Sequence, residues 1–230
     1  MRDIDKGLLQ FILREELSYD VLHGNYGIEK ENVRVDETGQ LALTPHPPEF
    51  GYKLYNPYIK TDFSESQVEM VTPICDNLEA AYNFLENLQN ISSLTLKGEY
   101  LWPQSNPPIL PEEEQIPIAI FRSSDYMQMK YRERLAEKYG RRKQMFSGIH
   151  VNFSFKDDFL KKLYTEFGEN ASYRNFKDNL YLKLTKNLLK HRWLLVYLTG
   201  ASPVFHNSFD YKLNTNCNKL DDESYCFKDR

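Results

Sequence analysis

The chain predicts an α+β protein of one domain. Helical periodicity and strand alternation take turns along it, no segment repeats, and 230 residues suffice for one sizeable core. Leu8, Leu9, Ile12 and Leu13 share one face of a first helix, after which His23, Gly24, Asn25, Tyr26 and Gly27 turn the chain into a strand, GIEKENVRV. Residues 44–57 hold four prolines and read as an ordered loop, and 64–71 is extended until Thr72 and Pro73 end it. Over 76–94, Leu78, Tyr82, Leu85, Leu88 and Ile91 recur at three and four residues, with Asp76 or Asn77 as N-cap.

Five prolines make 102–117 a loop. A helix over 125–139 stops at Gly140. In 146–155, Ile149, Val151, Phe153 and Phe155 point one way and His150, Asn152 and Ser154 the other, which predicts a strand with one wholly apolar face. Helices over 157–167 and 173–198 end at Gly168 and Gly200. From 206 to 230 the tail is polar and offers no apolar element to close a sheet, so a longer parent chain is expected.

Composition excludes several classes. A net charge of -4 argues against duplex binding, whose affinity comes from cations neutralising phosphates, so no nucleic-acid partner is expected. No membrane segment is expected either, because the longest apolar run, residues 193–198, falls far below the roughly 20 residues that crossing needs. The N-terminus alternates charged and apolar residues, unlike a secretory signal. Three cysteines without Cys-x-x-Cys spacing indicate neither a disulfide framework nor a thiolate zinc site, and fit a reducing cytoplasm.

Glu29 and Glu31 sit on one strand face about 7 Å apart, and like charges aimed at one space need a cation or open water. Asp62, Glu65 and Glu69 supply further carboxylates if 64–71 is extended, and His150 meets them if the strands are neighbours. Oxygen-rich sets suit Mg²⁺ or Mn²⁺, ions that bridge phosphates to carboxylates. The chain has no G-x-x-x-x-G-K-[ST], G-x-G-x-x-G or G-x-S-x-G motif, so metals would have to hold any phosphate. On pattern alone, a solvated strand face remains open for Glu29 and Glu31, a hydrogen-bonded structural role for His150, and a solvated charged helix face for Tyr131 and Arg132.

GIEKENVRV, TDFSESQVEMVTP, LWPQSNPP, KYRERL, SGIHVNFSF and YLTGASPV together resemble glutamate-cysteine ligase, in that family's order across 26–204, most closely the N-terminal ligase portion of bacterial bifunctional enzymes that make glutathione. The resemblance implies ATP-dependent joining of the γ-carboxylate of glutamate to the amine of cysteine. It implies a glutamine-synthetase-like fold, an antiparallel sheet with helices packed on one face, incomplete at the C-terminus, with 1–230 the N-terminal part of the catalytic domain. It places Glu29, Glu31, Asp62, Glu69 and His150 on the metal side, with Mg²⁺ or Mn²⁺ as cofactor, and Tyr131 and Arg132 on the amino-acid side. Asn152 joins them because it shares the face of His150. Glutamate, cysteine and ATP are the expected partners, with a fused glutathione-forming domain in a longer parent. Two alternatives stay open: an inactive module that binds metal and amino acid, and a related carboxylate-amine ligase.

Overall fold

The computed structural model describes residues 3–200, 203–209 and 216–227, and its fold is α+β. The chain forms two compact units, one built from residues 1–27, 74–81 and 152–200, the other from 28–73, 82–151 and 201–230.

The first unit holds α1 (Asp3–Arg14) and a short α2 (Ser18–Leu22), which the sequence pattern did not show. It also holds α5 (Asp157–Phe167), α6 (Tyr173–Lys190) and α7 (Arg192–Thr199). Phe159, Leu160 and Leu163 bury one stripe of α5, and Phe159 and Leu163 join Phe11 and Leu17 in a small core. A cavity of about 610 Å³ opens beside it, lined mainly by apolar side chains such as Ile12, Phe155 and Leu180. The single helix expected over 173–198 is two: at His191 the backbone leaves helical geometry, and its N–H closes a tighter bond to the Leu188 carbonyl.

The second unit is organised by β1 (Gly24–Asp36), whose first residues belong to the other unit. Strand β3 (Gln67–Val71) pairs antiparallel with β1 and with β2 (Ile59–Lys60), and β4 (Glu99–Leu101) pairs antiparallel with the far end of β1. Strand β5 (Ile149–Phe155) also pairs with β1. Helix α3 (Leu78–Thr95) starts with Asn77 Oδ1 accepting from Ala80 N at 2.8 Å, the expected cap. Lys30 points away from the face of Glu29 and Glu31 and donates to Gln89 of α3 at 2.6 Å, so α3 backs the sheet and leaves the carboxylate face to other elements. Helix α4 (Tyr126–Tyr139) ends at Gly140, whose φ of 82° is a conformation glycine adopts without strain.

Three expectations change. Residues 65–66 are a turn between the isolated bridge of Ser64 to Ile118 and β3, so Glu65 does not share a strand face with Glu69. The apolar face of β5 is not wholly covered: Ile149 and Val151 are 65% and 61% exposed, because alternation fixes which side chains share a face but not what lies over it. The polar tail does build a sheet, β6 (Val204–His206), β7 (Cys217–Lys219) and β8 (Ser224–Phe227), in the order β6-β8-β7. Its Phe205, Phe209 and Cys217 enter one core with Val33, Phe63, Ile116 and Met145, so a few well-placed apolar residues sufficed to bury it. Ala201 and Ser202 of the YLTGASPV motif lie outside the described residues.

Candidate active site

The antiparallel register sets Glu31 of β1 directly opposite Glu69 of β3, with Glu29 opposite Val71. Facing side chains in such a ladder stand about 5 Å apart at Cβ, and like charges there repel. Asp62 enters from the loop between β2 and β3. Burial, then the Glu31 carboxylate, push Asp62 above the usual carboxylate range. Burial, then Asp62, Glu29 and Glu31, push Glu69 the same way. Four carboxylates therefore act on one another across one face of the sheet.

Hydrogen-bonding and cationic groups approach from three sides. His150 on β5 has Nε2 3.3 Å from Glu31 Oε1, and the backbone N–H of Gly148 donates to Glu31 Oε2 at 2.8 Å. A β-carbon at Gly148 would stand 3.1 Å from His150 Nε2 and 3.4 Å from Glu31 Oε2, so a side chain there would press on this contact. Lys60 is the register partner of Glu69 and pulls its pKa down. Arg132 of α4 donates from Nε to the Asp62 carbonyl at 2.5 Å and from Nη1 to the Gln128 carbonyl at 3.0 Å, with its guanidinium 4.7 Å from the Phe121 ring centroid. Burial lowers the Arg132 pKa, and Asp62, Tyr131 and Glu69 oppose that fall.

The structure thus brings together Glu29, Glu31, Asp62, Glu69, His150 and Arg132. Tyr131 is 60% exposed on α4 beside Arg132, and Asn152, exposed on β5, falls in the first unit. Among the described residues no three His, Cys, Asp or Glu side chains already stand close enough to enclose a metal ion. The donor set still fits a hard divalent cation, since oxygen ligands predominate and two carboxylates are short of positive charge.

Sequence reasoning missed the support beneath this face. Gln67, fully buried, accepts from Phe63 N at 3.1 Å and Ser64 N at 2.9 Å and donates to the Gln144 carbonyl at 2.8 Å. Glu65 turns inward to Lys53, and Arg34 donates to the Glu65 carbonyl at 2.8 Å. The signal was the Ser-Glu-Ser sequence before Gln67, which favours a hydrogen-bonded turn over an extended strand.

The fold is α+β, with one sheet face crowding carboxylates beside the half-buried guanidinium of Arg132. The chain belongs to the glutamate-cysteine ligase family, whose model matches residues 9–229. It is 54% identical to a glutathione biosynthesis bifunctional protein of Clostridium perfringens over 231 residues, all of this chain and 29% of that protein. It is 47% identical to a glutamate-cysteine ligase of Clostridium acetobutylicum over 189 residues, 81% of this chain and 39% of that protein. Among solved structures, it resembles the Francisella tularensis glutamate-cysteine ligase in complex with AMP, with a TM-score of 0.79 and 32% identity over 90% of this chain and 41% of that one. It also resembles a bifunctional glutathione synthetase from Pasteurella multocida, with a TM-score of 0.76 and 38% identity over 84% of this chain and 26% of that one. The chain therefore spans well under half the length of these relatives.

Proposed function

We propose that residues 1–230 are the N-terminal part of a glutamate-cysteine ligase catalytic domain, in which ATP phosphorylates the γ-carboxylate of glutamate and the amine of cysteine then displaces the phosphate to give γ-glutamylcysteine. The observation that carries this reading is the opposed Glu31 and Glu69 pair with Asp62, whose mutual repulsion asks for a cation. Family membership and the names of the relatives support the reaction.

In this reading Glu29, Glu31, Asp62, Glu69 and His150 hold Mg²⁺ or Mn²⁺, which offsets the repulsion between a carboxylate and a triphosphate and aligns their oxygens. Mg²⁺ keeps several waters and commonly takes one or two carboxylates plus phosphate oxygens, so opposed pairs are an adequate protein contribution. The Gly148 N–H and His150 orient Glu31. Arg132, fixed through the Asp62 and Gln128 carbonyls and backed by Phe121, presents a planar guanidinium to a substrate carboxylate, with Tyr131 on the same amino-acid side. The glutamine-synthetase-like arrangement and a fused glutathione-forming domain in a longer parent belong to the same proposal, and the bifunctional relatives' names support the latter. So does a cytoplasmic location: the three cysteines are free, and no described helix is long and apolar enough to cross a membrane.

Calorimetry with ATP, glutamate and Mg²⁺ tests the proposal. ATP binding that requires Mg²⁺ and is lost in Glu31→Gln/Glu69→Gln is the expected result. ATP binding indifferent to Mg²⁺ and to those substitutions would overturn it.

A further inference from the structure

Glu65 carries a carboxylate, is 4% exposed, and has His46, Ile120 and Lys53 as its carboxylate partners. Burying a carboxylate is costly unless it is fully paired. Its Oε2 accepts from His46 N at 2.6 Å, and its Oε1 accepts from Ile120 N at 2.5 Å and pairs with Lys53. Two loops far apart in sequence are thereby tied to one side chain. Next to Ile120 is Phe121, whose ring centroid lies 5.6 Å from Lys53 Nζ and 4.7 Å from the Arg132 guanidinium. Arg132 in turn holds the Asp62 carbonyl at 2.5 Å. Glu65 is also joined to Asp62 through the backbone, because the loop between them is closed on itself: the Thr61 hydroxyl lies 2.6 Å from the Ser64 carbonyl and 3.0 Å from the Gln67 carbonyl.

We propose that Glu65 is a positioning residue, which through Lys53, Ile120 and Phe121 sets Arg132 and Asp62 in register with each other and so fixes Asp62 in the acidic face. The inference rests on the metal-site reading above. Ordering a loop does not by itself require a buried ion pair, since the Gln67 and Thr61 bonds already close it. What Glu65 adds is a rigid link from that loop to the segment that backs Arg132, and supporting partners of this kind commonly change metal affinity when removed.

The test is Mn²⁺ affinity of the 230-residue chain, read from the free-ion electron paramagnetic resonance signal. Glu65→Gln leaves Lys53 buried without its partner, so Glu65→Gln/Lys53→Met, which removes both charges, is measured beside it. Both variants, when folded by circular dichroism, are expected to bind Mn²⁺ about tenfold more weakly than wild type. Lys53→Arg, which keeps the ion pair, is expected to bind as wild type does. Wild-type affinity in the folded double variant would overturn the proposal, as would an equal loss in Lys53→Arg. Should the wild-type chain bind no Mn²⁺, the metal-site reading falls first. Amide exchange at Phe63 and Ser64 then decides the positioning role: exchange faster in the double variant than its global unfolding explains upholds it, and unchanged exchange overturns it.

Discussion

Residues 61–67 and helices α6 and α7 invert the usual rule of polar outside and apolar inside. In the loop, Ser64, Ser66 and Gln67 are fully buried and Glu65 nearly so, whereas on α7 Trp193, Val196 and Leu198 are each more than 60% exposed. The loop tolerates burial because its polar groups find partners, Ser66 Oγ donating to the Ala42 carbonyl at 2.6 Å and Ser64 Oγ to Pro117 at 2.5 Å. Burial here follows completed hydrogen bonds as much as hydropathy. The loop therefore carries the rigidity that a site needs.

The largest effect should come from Arg34. It is 1% exposed, pairs with Glu99, and donates to the Thr44, Pro45 and Glu65 carbonyls at 2.8, 3.1 and 2.8 Å. Arg34→Met should cost about 3–5 kcal/mol in urea unfolding, since it removes the cation paired with the half-buried Glu99 and leaves three carbonyls without their donor. A cost below about 1 kcal/mol would mean that the polar network does not hold this region together.

His46 comes next. Burial, then Lys53, hold its imidazole down at about 4, so it is neutral in the fold and protonated in the unfolded chain below its ordinary value of 6.5. A folded pKa below the unfolded one gives stability that is present above pH 6.5 and lost as pH falls toward 4, at most about 3 kcal/mol. Unfolding measured across that window should show the loss in wild type, and His46→Leu should flatten it.

Glu69→Gln should do the opposite at neutral pH. Its raised pKa means that the ionised carboxylate opposes folding, with the penalty growing as pH rises through that pKa. Removing the charge should raise stability at pH 7 while weakening Mn²⁺ binding, the trade expected where function holds like charges together. A destabilised variant would show that Glu69 is already satisfied. The smallest change is expected on α7, where Trp193→Ser should shift unfolding by less than about 0.5 kcal/mol, and a loss of several kcal/mol would show that this face packs on something.

How much of this was legible beforehand follows from what each signal encodes. The strand bearing Glu29 and Glu31, the Asn77 cap and the Gly140 stop are local chemistry, and they appear where the residues put them. The convergence of Glu31 and Glu69 needed the β1 to β3 register, which two-residue alternation makes possible but does not specify. Glu65 was misplaced because a turn of Ser and Glu looks like strand when only alternation is counted. The tail sheet escaped because three short strands bury it with Phe205, Phe209 and Cys217, contacts that join distant parts of the sequence. The break at His191 is a single-residue departure within a continuous helical pattern.

Paramagnetic broadening by substoichiometric Mn²⁺ is the most direct test of the central claim, that carboxylates from β1, β3 and the intervening loop share one cation. The account predicts that amide signals of Glu31, Asp62, Glu69 and Gly148 broaden together at the lowest additions, while those of the exposed Glu112 and Glu114, in the acidic run 112–114, stay sharp. Broadening that begins at that run, or spreads evenly over acidic residues with no preference for the sheet face, would contradict it.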